Sequence, residues 1–98
     1  GSGALPKGTT ALLTELLIAA RRLGVEDTLD KELLETQPVI RKWILDHLPS
    51  MPPKAYRWVP ETEEIAKTFD AVGLTPLTMQ GAARTPERFR GEGQLQGR

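Results

Sequence analysis

The chain has no cysteine, a single histidine, few aromatic residues and no excess of either charge. Without cysteine there are no disulfide frameworks, no thiol catalysis and hardly any route to a structural zinc site, a pattern that suits a small domain in a reducing cytosol. With His47 alone, a catalytic triad or a histidine-rich metal site is disfavoured. Lys and Arg total 13 against 13 Asp and Glu, so no basic excess supports binding through many phosphate contacts, and nucleic acid is not an expected partner. No apolar run approaches the roughly 20 residues that span a bilayer, and no basic-then-apolar signal peptide opens the chain. These absences predict a soluble, cytoplasmic protein with no membrane association. Gly1-Ser2-Gly3 reads as a cloning scar.

At 98 residues the chain can bury about 60–65% of its unfolded surface, enough for one core. From Lys7-Gly8-Thr9-Thr10 the run ALLTELLIAARRLG places Leu12, Leu13, Leu16, Leu17, Ala19, Ala20 and Leu23 on one wide helical stripe. Thr9 or Thr10 can cap its start and Gly24 its end. Ile18 falls outside the stripe, so it either meets a second surface or is simply exposed. A second helix is predicted from Asp27 or Thr28 to Gln37, with Leu29, Leu33 and Leu34 inward. Pro38 imposes a kink or a short break before VIRKWILDHL, whose apolar face is Val39, Ile40, Trp43, Ile44 and His47.

Three prolines between Pro49 and Pro53 make that stretch a loop. A helix from about Val59-Pro60 to Gly73 follows, with Glu61, Glu63 and Glu64 near its positive end and Trp58, Thr62, Ile65, Phe69 and Val72 inward. Thr75-Pro76 opens a short helix reaching Ala82 or Ala83. Beyond Arg84 the only large apolar residues are Phe89 and Leu95, with three glycines; residues 84–98 read as a largely disordered, flexible tail with one helical turn at Pro86 to Phe89. No alternating pattern supports a strand. The expected architecture is all-α: a compact bundle of four or five short helices over residues 4–83.

Little here carries chemistry. His47 could act as an acid or base, but on an apolar stripe the structural role is favoured. The three glutamates are accounted for by the helix dipole. Lys54, Tyr56, Arg57 and Trp58 combine two cations with two aromatics, which could bind an anion and stack a planar ligand; the alternative, favoured, is that Trp58 anchors the core while Lys54 and Arg57 stay solvated.

The segments KGTTALLTELLIAARRLGV and KAYRWVPETEEIAKTFDAVGLTP, with GAA after the second, resemble the C-terminal helical domain of NAD-binding 6-phosphogluconate dehydrogenase-like proteins of the β-hydroxyacid dehydrogenase superfamily. The resemblance spans about Lys7 to Ala83. It implies an oxidoreductase in which a separate Rossmann domain binds NAD or NADP while the helical domain closes over the substrate and commonly makes the dimer. The G-x-G-x-x-G turn of such a Rossmann domain is absent here, so no cofactor is expected on this chain alone. The superfamily's catalytic lysine would precede Lys7-Gly8, and no residue matches it. Where the relatives would carry methionine this sequence has Thr62, and past Ala83 it departs from their apolar, aromatic helix.

Two functions follow as expectations. The first is a substrate and dimerisation domain of an NAD(P)-dependent hydroxyacid dehydrogenase, not catalytic alone, with Lys54, Arg57 and Trp58 as a remnant of the substrate site and Ile18 and Leu45 in a homodimer contact. The second is an engineered or selected autonomous helical scaffold or interaction module with no enzymatic role.

Overall fold

A computed structural model of the chain describes residues 3–47 and 55–87. Among them are five helices: α1 (Ala4–Leu23), α2 (Glu26–Thr36), α3 (Pro38–His47), α4 (Ala55–Ala71) and α5 (Leu77–Ala83). The expected all-α bundle is what forms. The stretch Pro49 to Lys54, expected to be a loop, lies outside the described residues.

The start of α1 differs from the sequence expectation. Gly3 is its N-cap, and Pro6 sits in the first turn, where a missing N–H costs nothing. Thr9 and Thr10 are therefore interior, and Thr10 is buried. The end is as expected: Gly24 takes a left-handed φ of 76°, its N–H reaches the Arg21 carbonyl, and Val25 N–H donates to the Ala20 carbonyl at 2.9 Å. Gly73 repeats this closure after α4, with φ 84° and Leu74 N–H on the Phe69 carbonyl.

Helix α2 begins on Glu26 and Asp27, whose charges complement the helix's positive end. Pro38 produces the break: α2 stops at Thr36, and α3 starts on the proline itself. Arg41 Nε donates to Asp30 Oδ1 at 2.9 Å, tying the two helices together on their exposed side. At α5, Pro76 takes the N-cap position expected of Thr75, and Thr75, one residue before it, accepts Leu77 N–H on its Oγ1 at 3.1 Å.

Helix α4 starts at Ala55, well before Val59-Pro60, so Pro60 lies inside it. That removes the N–H which would have met the Tyr56 carbonyl, and it moves Glu61, Glu63 and Glu64 out of the first turn. The dipole therefore does not explain these glutamates. Val72, expected inward, is exposed past the helix end. Packing also continues beyond the boundary expected at Ala83: Thr85 and Pro86 are buried, and residues 85–87 add one helical turn.

The core lies on both sides of α1. One cluster joins Leu13, Leu33, Ile44 and Trp58, with Leu17, Leu29, Trp43 and Val59 against it. The other joins Ala11, Ala66, Met79 and Ala82, with Ile65 and Phe69 beside it. Small residues of α1 thus meet α4 and α5 closely, and its leucines 13 and 17 reach α2 and α3.

Trp58 links the two clusters. Its ring packs in the first, and its Nε1–H donates to the Ala82 carbonyl at 2.9 Å. That carbonyl, in the last turn of α5, also accepts the Thr85 hydroxyl at 2.7 Å. Two donors thereby satisfy a helix-end acceptor.

Candidate functional site

The buried face of α1 carries Thr10, Ala11, Leu13, Thr14, Ile18 and Ala20. Its opposite face is apolar too. Leu5, Leu12, Leu16 and Leu23 are exposed along the outside of the helix, with Ala19 among them. The stripe expected to face the core is thus split: Leu13, Leu17 and Ala20 turn inward, whereas Leu12, Leu16, Ala19 and Leu23 face solvent.

The correction for Ile18 is the converse. It is 2% exposed, buried within the chain, and has no surface left for a second subunit. Leu45 is exposed on α3.

Beside the N-terminal half of this stripe, α3 leaves a groove of about 370 Å³ lined by Leu5, Thr9, Leu13, Val39, Ile40 and Trp43. Its walls are almost wholly apolar, and Val39 is 81% exposed. The expected apolar face of α3 therefore closes at Trp43 and Ile44, while Val39 and Ile40 stay open. Sequence reasoning named these residues but took them for core.

The polar candidates do not converge. Lys54 lies outside the described residues. Arg57 is exposed and Trp58 is buried with its N–H engaged, so the indole cannot stack a ligand at the surface. The cation facing that indole is Lys7, whose Nζ lies 5.8 Å from the ring centroid and 3.4 Å from Glu61 Oε1. His47 is exposed at the end of α3. It stacks on Trp43 with centroids 4.3 Å apart, and its Nδ1 meets the Trp43 carbonyl at 2.9 Å, so Nδ1 carries the proton. The imidazole thus closes the last turn of α3.

One residue earlier, Lys42 Nζ donates to Asp46 Oδ2 at 2.7 Å. That hydrogen bond holds the Asp46 carboxyl below its ordinary range and raises the lysine. Both groups are solvated, and the pair belongs to the α3 surface.

A second cleft, about 360 Å³, lies between α4 and α5 and is lined by Glu63, Lys67, Asp70, Pro76 and Gln80 with Ala66. All its charged residues are exposed. Among the described residues no group of three or more His, Asp or Glu could hold a metal ion, and no helix is long and apolar enough to cross a membrane.

Residues 20–89 match the model of a family described as a domain of unknown function, DUF1932. The chain belongs to that family. No curated protein and no solved structure shows a significant match. The DUF1932 match takes in α2 to α5 and the turn at 85–87, and the exposed stripe of α1 lies mostly ahead of it. Both walls of the α4–α5 cleft belong to the DUF1932 region, as does the α3 wall of the apolar groove.

Proposed function

We propose that this DUF1932-family chain is the helical packing domain of an NAD(P)-dependent hydroxyacid dehydrogenase of the 6-phosphogluconate dehydrogenase-like kind, not catalytic on its own. Its work is to sit against other protein surface, over the substrate side of a nicotinamide-binding domain and against a second subunit, in a cytoplasmic homodimer. The exposed apolar groove and stripe along α1 and α3 carry the reading, because a domain of this size leaves so much aliphatic surface open only where something covers it. The resemblance of two long segments to dehydrogenase helical domains supplies the parent. Arg57 at the exposed start of α4 is what remains of a site for an acidic substrate, with Lys54 beside it in sequence and Trp58 serving as its core anchor.

The parent is tested in the source gene. A strand, G-x-G-x-x-G and helix encoded upstream in the same reading frame is the expected result, and an open reading frame without them overturns the assignment. On the protein side, titration with NADH or NADPH should give no saturable binding, because the crevice for the dinucleotide belongs to a sheet that these helices do not form. Micromolar binding to the chain alone would show that it holds a cofactor site after all.

The second reading is an autonomous helical scaffold or interaction module, engineered or selected. In its favour, the two clusters around α1 close on each other through Trp58 without a second domain. The same gene context discriminates: under this reading no Rossmann half lies upstream.

A further inference from the structure

The groove between α1 and α3 differs from the leucine stripe beside it in being built of side chains that hold still. On the α1 wall, Pro6 presents a ring fixed to the backbone. On the α3 wall, Val39 and Ile40 are β-branched, each with one strongly preferred χ1 in a helix. Leu13, 7% exposed, is the innermost residue of the groove. Trp43 is held from two directions, since it packs on the first core cluster and stacks on His47 with centroids 4.3 Å apart and ring planes 14° from parallel. The α3 wall as a whole is tied to α2 by Arg41 and Asp30. Walls fixed in this way give up little freedom when something enters, and the space exists before a ligand arrives.

We propose that this groove is a binding site for a small, rigid, uncharged molecule of two fused aromatic rings. Size is the first argument. The groove holds about 370 Å³, inside the range of ligand pockets, and an apolar cavity of roughly 150 Å³ already takes up benzene, so two rings fit. Charge is the second. Among the described residues none of the groove's walls is charged, and a carboxylate or ammonium drawn in there leaves water without a partner. The half-buried Thr9 adds a hydroxyl beside which one neutral polar substituent can lie.

Rigidity is the third. Without a charged anchor to repay lost rotamers, a flexible chain gains less from these walls than flat rings, which lose none. A protein occupant is set aside on scale: seven residues line the groove, whereas a standard interface takes about 20–30 from each side. The proposal goes beyond the packing role, which the stripe at Leu12, Leu16 and Leu23 carries without the groove.

The test compares 2-naphthol, uncharged at neutral pH, with 2-naphthoate, which has the same rings and a carboxylate. Each is titrated into the full chain while backbone amide NMR shifts are followed. Saturable one-to-one binding of 2-naphthol is expected with a Kd of about 0.1–1 mM, the largest shifts falling at Leu5, Thr9, Val39, Ile40 and Trp43. 2-Naphthoate should bind about tenfold more weakly. Val39→Glu puts a charge on the wall at a residue 81% exposed, where the fold tolerates it. It should abolish 2-naphthol binding and leave the helical circular dichroism unchanged. Leu12→Glu on the stripe and Leu77→Glu on α5 should bind as the wild type does. Shifts that grow without saturation or centre on Leu12, Leu16 and Leu23 overturn the site, as does binding that survives Val39→Glu. Equal affinity for 2-naphthoate overturns the restriction to uncharged ligands. Failure on any of these counts leaves the dehydrogenase parentage standing, because gene context decides that.

Discussion

Thr14 and Thr62 are fully buried, and neither hydroxyl has a hydrogen-bond partner. Exposed threonines in the same molecule behave otherwise: Thr36 and Thr68 donate to the carbonyls of Glu32 and Glu64, at 2.8 and 3.1 Å. The two buried hydroxyls thus carry a desolvation cost with no bond to offset it. Thr62→Val keeps the shape and removes the polar atom, and should stabilise the chain by about 1 kcal/mol. Methionine, the residue the dehydrogenase resemblance suggests there, is longer than a site with no exposure left can take. Thr62→Met should therefore destabilise by about 1–3 kcal/mol through overpacking. Chemical denaturation midpoints of the two variants check the pair, and a rise for methionine with a fall for valine would mean that the hydroxyl is satisfied and the site is loose.

At the scale of elements, Trp58 decides how the helices are held together. It brings α4 against α1, α2 and α3 through its ring and reaches α5 through its N–H. Trp58→Ala should cost roughly 3–5 kcal/mol. Trp58→Phe keeps much of the ring but removes the indole donor from the Ala82 carbonyl, which keeps the Thr85 hydroxyl and the Arg84 N–H, and should cost about 1 kcal/mol. Urea unfolding of both separates packing from the hydrogen bond; equal losses would assign the whole effect to the indole N–H.

The inward position of Trp58 was legible in the sequence, as were the helices themselves, the break at Pro38 and the closures at Gly24 and Gly73, because each follows from local backbone chemistry. What was not legible was the direction of α1. A helix with leucine on nearly every side gives a broad apolar stripe whose centre follows the leucines, whereas the structure buries the small residues Thr10, Ala11 and Thr14 together with Ile18 and sets Ala11 against α4 and α5. Which face turns inward depends on the size of the facing helices, and periodicity does not report that. For the same reason the apolar groove was invisible: Val39 and Ile40 have the pattern of core residues, and only the placement of α1 leaves them open.

For the molecule as a whole, the balance of buried and exposed apolar surface matters most. Among the described residues five of the eleven buried apolar side chains are alanines, while leucines 5, 12, 16 and 23 lie outside the core. A domain built this way gets little from its own interior, and net stability is a small difference between large terms. Covering this open α1 face with a second copy, as the proposed homodimer requires, would remove aliphatic surface from water and couple folding to association. The thermal midpoint should then depend on protein concentration, rising by a few degrees for each tenfold increase, since each factor of ten in concentration adds about 1.4 kcal/mol to the assembled state. Leu12→Glu should melt lower than the wild type and at the same temperature across that range. Scanning calorimetry from tens of micromolar to about a millimolar makes the comparison. A concentration-independent midpoint for the wild-type chain would mean that the helices reach their full stability as a monomer, with the open α1 face contributing nothing to the fold.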